Sequence, residues 1–237
     1  MKKTEVMQWL KENADERGIE HWKARGEKGS GLKSYGIGLT RLRKFAKQIG
    51  RDHKLALQLW KSPYYDAKVL GLLIDDPKLI TREQAEGQVE ELHGGYLSHV
   101  FSSCDATLAK SPMAFELACD WLKHTSPERR RCAYGLLYEL SKRKPKGMDD
   151  AFLKQVVETI REEIHGEEMW VRESMNTALM GIGKRNLALN KVALKAAREI
   201  GPVDIDYGSD NACEPLDVVK HLANKDLKAR LAAKSSP

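Results

Sequence analysis

Apolar residues recur every three or four positions along almost the whole chain, the period of helices that each bury one face. The first such stretch, near residues 4–16, carries Val6, Trp9 and Leu10 behind Thr4 as its expected cap. Residues 18–38 are glycine-rich and read as irregular. From Thr40 the period returns with Leu42, Phe45, Ala46 and Ile49, and Gly50 supplies the stop. Further helices are expected over 52–61 and, opened by Ser62-Pro63, through Asp75. Thr81 with Gln84 three residues on predicts a capping box heading a helix to His93. Gly94-Gly95 then separates it from one near 96–109. Ser111-Pro112 and Ser126-Pro127 open helices to 124 and 143, and the rest lie near 149–165, 167–183, 187–200 and 215–223. Runs that alternate apolar and polar, rich in Val, Ile and Thr, are missing, so no strand is expected.

The predicted fold class is therefore all-α. Helices of 10–17 residues joined by short turns suit either a globular bundle or a solenoid of stacked antiparallel pairs of the HEAT or armadillo type. A chain of 237 residues allows one large domain or two small ones. The reading adopted is a single domain over 1–237, with an N-terminal helix and Gly-rich loop at 1–30 and a frayed tail at 224–237. No apolar run reaches a membrane span, and the start of the chain lacks the apolar segment of a signal peptide. Cys104, Cys119, Cys132 and Cys213 are scattered without a CxxC pair, which argues against a zinc site or disulfide framework and for a cytoplasmic protein.

Charge sharpens this picture. The net +6 hides four blocks: +7 over residues 1–60, −5 over 61–121, +6 over 122–146 and −2 over 147–237. Segregation of this kind points to a polyanion partner, although lysine-rich solvated helix faces account for it equally well.

Four features carry candidate chemistry. Asp105 lies in the small, apolar stretch Val100–Leu108, where an acid must be paired, desolvated or facing a cleft. On a helix Phe101 would share its face, an aromatic platform beside a carboxylate. Capping of a neighbouring helix or pairing with an arginine accounts for the same acid. Arg129-Arg130-Arg131 spread around the start of a helix, so at least one turns inward, and arginine suits bidentate contact with phosphate or carboxylate. The glycine-rich stretch Gly26–Gly38 matches no phosphate loop, yet its amides, with Lys28, Lys33 and Tyr35, suit contact with a nucleic-acid backbone. The seven histidines are dispersed without metal-ligand spacing, no Gly-x-Ser-x-Gly elbow occurs, and the aspartates at 204, 206 and 210 lack EF-hand order. No metal and no cofactor are expected.

Several motifs together resemble one family. These are Ser34-Tyr35-Gly36-Ile37 followed by Leu39-x-x-Leu42-Arg43-Lys44-Phe45-Ala46-Lys47, then Leu59-Trp60 with Ser62-x-x-Tyr65-Asp66, and Arg130-Arg131-Cys132-Ala133. The last is Trp170-Val171-Arg172-Glu173-Ser174-Met175-Asn176-Thr177-Ala178-Leu179, followed by Asp206-Tyr207-Gly208 and Cys213-x-Pro215. In order and spacing, over about residues 30–223, they resemble the AlkD-like DNA alkylation repair family of HEAT-like repeat DNA glycosylases.

The resemblance implies a helical-repeat solenoid with a concave basic face, binding duplex DNA that is alkylated or distorted, as a monomer. It implies hydrolysis of the N-glycosidic bond of 3-methyl or 7-methyl purines, with Asp105 stabilising the oxocarbenium-like sugar. Arg131 or Arg130, one residue apart in the possible alignments, would fix a phosphate. Arg129, Lys33, Tyr35, Arg43, Lys44, Lys47 and Thr177 complete the expected DNA contacts. The family's two cleft tryptophans fall on Phe101, which keeps a ring, and on Thr177, which has none. That departure favours a second reading, a non-catalytic module recognising damaged or branched DNA by shape. A protein-interaction scaffold is a third.

Overall fold

The computed structural model describes residues 1–25, 31–92, 95–143, 145–207 and 213–233, with the side chains of residues 24, 25, 95 and 96 left aside. The predicted roles of Gly26, Lys28, His93, Gly94, Gly208 and Asp210 therefore lie outside the described residues. Contacts group the chain into two compact units, Met1–Met113 and Ala114–Pro237.

The first unit is built from α1 (Lys3–Glu12), α2 (Glu16–Arg25), α3 (Leu39–Ile49), α4 (His53–Trp60), α5 (Tyr65–Ile74), α6 (Arg82–Glu90) and α7 (Gly95–Ser102). Its centre is α5, buried over nearly its whole length and packed on α3, α4 and α7. Asp52 caps α4 by accepting the Leu55 amide at 2.9 Å. Gly50 ends α3 at φ 79°, a left-handed conformation that costs glycine little. The capping box at Thr81 forms only by half: Thr81 Oγ1 accepts the Gln84 amide, while the Gln84 side chain donates instead to Asp75 at 2.6 Å.

The glycine-rich stretch differs most from expectation. Residues 16–25 form α2, capped by Asp15 Oδ1 at 2.9 Å from the Gly18 amide, where the sequence reads as irregular. The reason is tertiary. Gly18 lies so close to Gly36 that an added Cβ would stand 2.0 Å from the Gly36 carbonyl, so two glycines that suggest a loop mark a close backbone crossing. The Asp15 amide donates to Tyr35 O across it at 2.8 Å. The segment after the crossing is fixed by Asp66 of α5, which has no exposed surface. Its carboxylate accepts the Tyr35 amide at 2.7 Å, Ser34 Oγ at 2.9 Å and the Ile37 amide at 3.0 Å. An isolated parallel bridge between Lys33 and Tyr64 completes the anchoring.

The second unit comprises α8 (Ala114–Leu122), α9 (Pro127–Ser141), α10 (Asp150–Glu163), α11 (Met169–Gly183), α12 (Leu187–Ile200), α13 (Val218–Ala223) and α14 (Lys225–Ala233). Helix α9 packs on α8 and α11, and α12 on α10, α11 and α13. Ser126 and Pro127 start α9 as their sequence predicts. Gly181 and Gly183 of α11 face Tyr138 and Leu222, where a side chain would not fit. The tail expected to fray from 224 is instead helical over Lys225–Ala233, because Leu227 and Leu231, four apart, are both buried. Among the described residues there is no strand, and no helix is long and apolar enough to cross a membrane.

Two substitutions test the glycine crossing and its anchor in urea unfolding. Asp66→Ala strands three donors and is expected to cost on the order of 3–5 kcal/mol. Gly18→Ala is expected to cost about 1–3 kcal/mol by overpacking against the Gly36 carbonyl. An Asp66→Ala protein as stable as wild type would show that the loop does not depend on this carboxylate.

Candidate nucleic-acid interface

In the first unit the expected DNA contacts gather on α3 and the loop before it. Arg41, Lys44 and Lys47, spaced by three, form one exposed row, and Lys33 is exposed upstream. Helix α3 carries no acidic residue in its first turn, and Gly38 provides no side-chain cap. Arg41, in that first turn, therefore adds to the positive end of the helix dipole, while Lys47 stands in the last turn. Tyr35 is half-buried and stacked on Tyr64, with ring centroids 4.3 Å apart and planes within 7°. Burial first, then its hydrogen bond to Tyr64, pushes its phenol up to about 12. Arg43 turns away from the exposed row and donates to the Cys104 carbonyl at 3.3 Å, with a second contact to Cys104 Sγ.

That contact holds an unusual turn. Helix α7 ends at Ser102, whose hydroxyl folds back on Ser98 O at 2.9 Å. Cys104 and Asp105 then adopt φ 53° and 64° in succession, a left-handed pair that costs non-glycine residues about 1–2 kcal/mol each. The expectation that Asp105 shares a helical face with Phe101 fails for this reason. Asp105 is exposed on the turn, while Phe101 points into the core with 1% of its surface exposed. Arg51 steadies the segment from below, donating to Thr107 Oγ1 at 3.1 Å and to Asp75 O at 2.7 Å.

In the second unit α9 places its three arginines inward or against neighbouring elements. Arg129 is buried. Arg130 grips Glu167 through Nε and Nη2, both at 2.7 Å, and its Nη1 donates to the carbonyls of His124 and Thr125. The Arg130 hydrogen bond holds the Glu167 carboxyl below its ordinary value. Arg131, 5% exposed, lies 3.7 Å from Glu128 and stacks on the Trp170 indole, 5.2 Å from its centroid. Trp170 in turn leans on Tyr207 at 6.1 Å.

Glu173, one turn after Trp170, stands beside this group and accepts hydrogen bonds from Ser174 and Thr177. Desolvation raises its carboxyl above the ordinary range against the pull of Arg131 and those hydrogen bonds. Burial, then the Glu173 charge, pushes the Tyr207 phenol up to about 12. Thr177, expected at a DNA surface, is thus half-buried and joined to Glu173. The sequence alone points to no role for Glu167, Trp170 or Glu173. The spacing of Trp170 and Glu173, three apart on one helix, was the available signal. Among the described residues no three His, Cys, Asp or Glu side chains converge as metal ligands would.

These pairings have opposite pH signatures. Glu167 has a depressed folded value, so the stability it contributes is present above about pH 4.5 and lost as the pH falls through that lower value. Arg130→Ala is expected to cost about 1.5–3 kcal/mol at pH 7 and to flatten this acid limb. Glu173 has a raised folded value, so its charged form opposes folding. Glu173→Gln is expected to raise the melting temperature at pH 7, with the gain vanishing as the pH falls through the raised value. Melting curves between pH 4 and 8 check both, and a Glu173→Gln protein less stable than wild type at pH 7 contradicts the second.

The uncharacterized protein Lin0241 of Listeria innocua is 24% identical over 193 residues, covering 81% of this chain and 83% of that protein. Lmo0209 of Listeria monocytogenes, also uncharacterized, matches with the same identity and coverage. A solved structure superposes with a TM-score of 0.81 at 22% identity, covering 98% of this chain and 96% of the other. It is described as representing a new family of proteins related to the HEAT-like repeat DNA glycosylases, with affinity for branched DNA structures. The fold is thus an all-α, HEAT-like helical repeat. Residues 6–212 match the model of the DNA alkylation repair enzymes, and the chain belongs to that family.

Proposed function

We propose that this protein binds DNA by shape, favouring branched or distorted duplexes, and does not excise bases. The observation that carries the reading is the burial of Phe101. Of the two positions aligned with the glycosylases' cleft tryptophans, one is a ring 1% exposed and the other, Thr177, has no ring. Arg130 and Arg131 are both engaged by carboxylates of their own unit, which removes the phosphate-fixing role from the more tightly held of them. The exposed row Arg41, Lys44 and Lys47 supplies the sequence-independent attraction to phosphate on which such binding rests. The affinity for branched DNA attributed to the structural relative supports the same choice of partner.

Glycosidic hydrolysis is the second reading, and Asp105 favours it. Its exposed carboxylate sits on the second of two successive left-handed residues, in a turn that Arg43 holds at the Cys104 carbonyl, and backbone strain of this kind is found at functional sites. One experiment separates the readings. Wild type is expected to bind a four-way junction at least about tenfold more tightly than the corresponding duplex. It is expected to release no 3-methyladenine or 7-methylguanine from methylated duplex. Release that disappears in Asp105→Asn would reverse the order of the readings. Lys44→Ala with Lys47→Ala is expected to weaken binding to every DNA alike and to lower the salt slope by about 2.

A further inference from the structure

A cavity of about 390 Å³ opens in the first unit between α2 and the beginning of α3. Its volume lies within the roughly 300–1,000 Å³ of small-ligand clefts. The floor is apolar, made by Ile37, Leu42 and Val69. One wall is aromatic: Trp22, half-buried, leans on Tyr65 with centroids 4.6 Å apart and planes tilted by 38°. Arg17 and His21, both exposed and one helical turn apart on α2, form the rim.

The lining continues through Gly36 and Gly38 into the uncapped, acid-free first turn of α3. At Gly38 nothing stands within 4 Å of where a Cβ would be, so a ligand can approach the backbone closely. Asp15 is the one carboxylate among the described lining residues, and its Oδ1 is taken by the Gly18 amide at 2.9 Å. A flat apolar surface with an anion-attracting edge matches a nucleobase joined to its phosphate.

We propose that this cavity holds one unpaired nucleotide of a DNA strand. Its base lies against Trp22, and its phosphate meets Arg17, His21 and the leading amides of α3. A base inside a duplex is stacked on both faces, so only an unpaired nucleotide offers a free face to Trp22. The proposal rests on the DNA-binding reading above and deepens it, since flaps and junctions supply such nucleotides.

The test compares, by fluorescence anisotropy with the full chain, a labelled duplex and the same duplex bearing a three-nucleotide single-stranded flap. Wild type is expected to prefer the flap about tenfold, the size of one base-on-aromatic contact. Trp22→Ala is expected to reduce the preference to twofold or less, with duplex affinity unchanged. Arg17→Gln combined with His21→Gln, at exposed positions that do not threaten folding, is expected to act the same way. No preference in wild type, or a preference that survives in both variants, overturns the proposal while leaving DNA binding intact. If neither DNA binds, the DNA-binding reading falls, and titration with deoxyadenosine monophosphate decides the cavity by itself. Saturable tryptophan quenching that is lost in Trp22→Phe keeps the nucleotide site, and absence of quenching overturns it.

Discussion

Asp66 is buried in the first turn of α5, and three donors of the loop 34–37 converge on its two oxygens. A buried carboxylate is tolerated only when its oxygens are satisfied, so the loop is held to one path by the cost of leaving them bare. That path brings Gly36 against Gly18, seats α2, and presents Gly38 as the start of α3. The exposed basic row of α3 and the aromatic cavity beside it both follow from this one arrangement. The first unit's surface chemistry thus depends on a residue that never reaches the surface.

The second unit uses charge differently. Three consecutive arginines at the start of α9 suggest a polyanion contact, but packing absorbs them. Arg130 is held bidentate by Glu167, a geometry that guanidinium fits better than any other cation. Arg131 is shared among Glu128, the Trp170 face and the Glu173 charge. Desolvation makes such a cluster expensive unless each charge has its counterpart, and Glu173 bears the residual cost in its raised carboxyl value. Among the described residues, the exposed basic row of α3 carries no such carboxylate clamp.

Under the proposed function, this balance is what favours recognition over catalysis. Base excision asks for a carboxylate, an arginine and aromatic faces presented together at a solvent-open surface. Here the carboxylate is exposed on a strained turn, the arginines are engaged internally, and Phe101 is in the core. A basic helix and a cavity for a flat group need no such constellation, since shape-selective binding draws on phosphates and on bases already unstacked.

The sequence by itself determined the helices whose start and stop signals are local: Gly50 after α3 and Ser126-Pro127 before α9. It also determined the helical class, through a period of three to four that persists along the chain, and the family, through motifs kept in order. Only the tertiary structure decided which charges reach solvent. Arginine reads alike whether it meets a phosphate or a glutamate 37 residues away, as Arg130 does. A glycine likewise reads as a loop until its neighbour across space is known, which is why α2 was hidden behind Gly18. Asp105 and Phe101 make the same point, since a period of four places them together only while the helix continues. It stops at Ser102, and the two residues part company, one toward water and one toward the core.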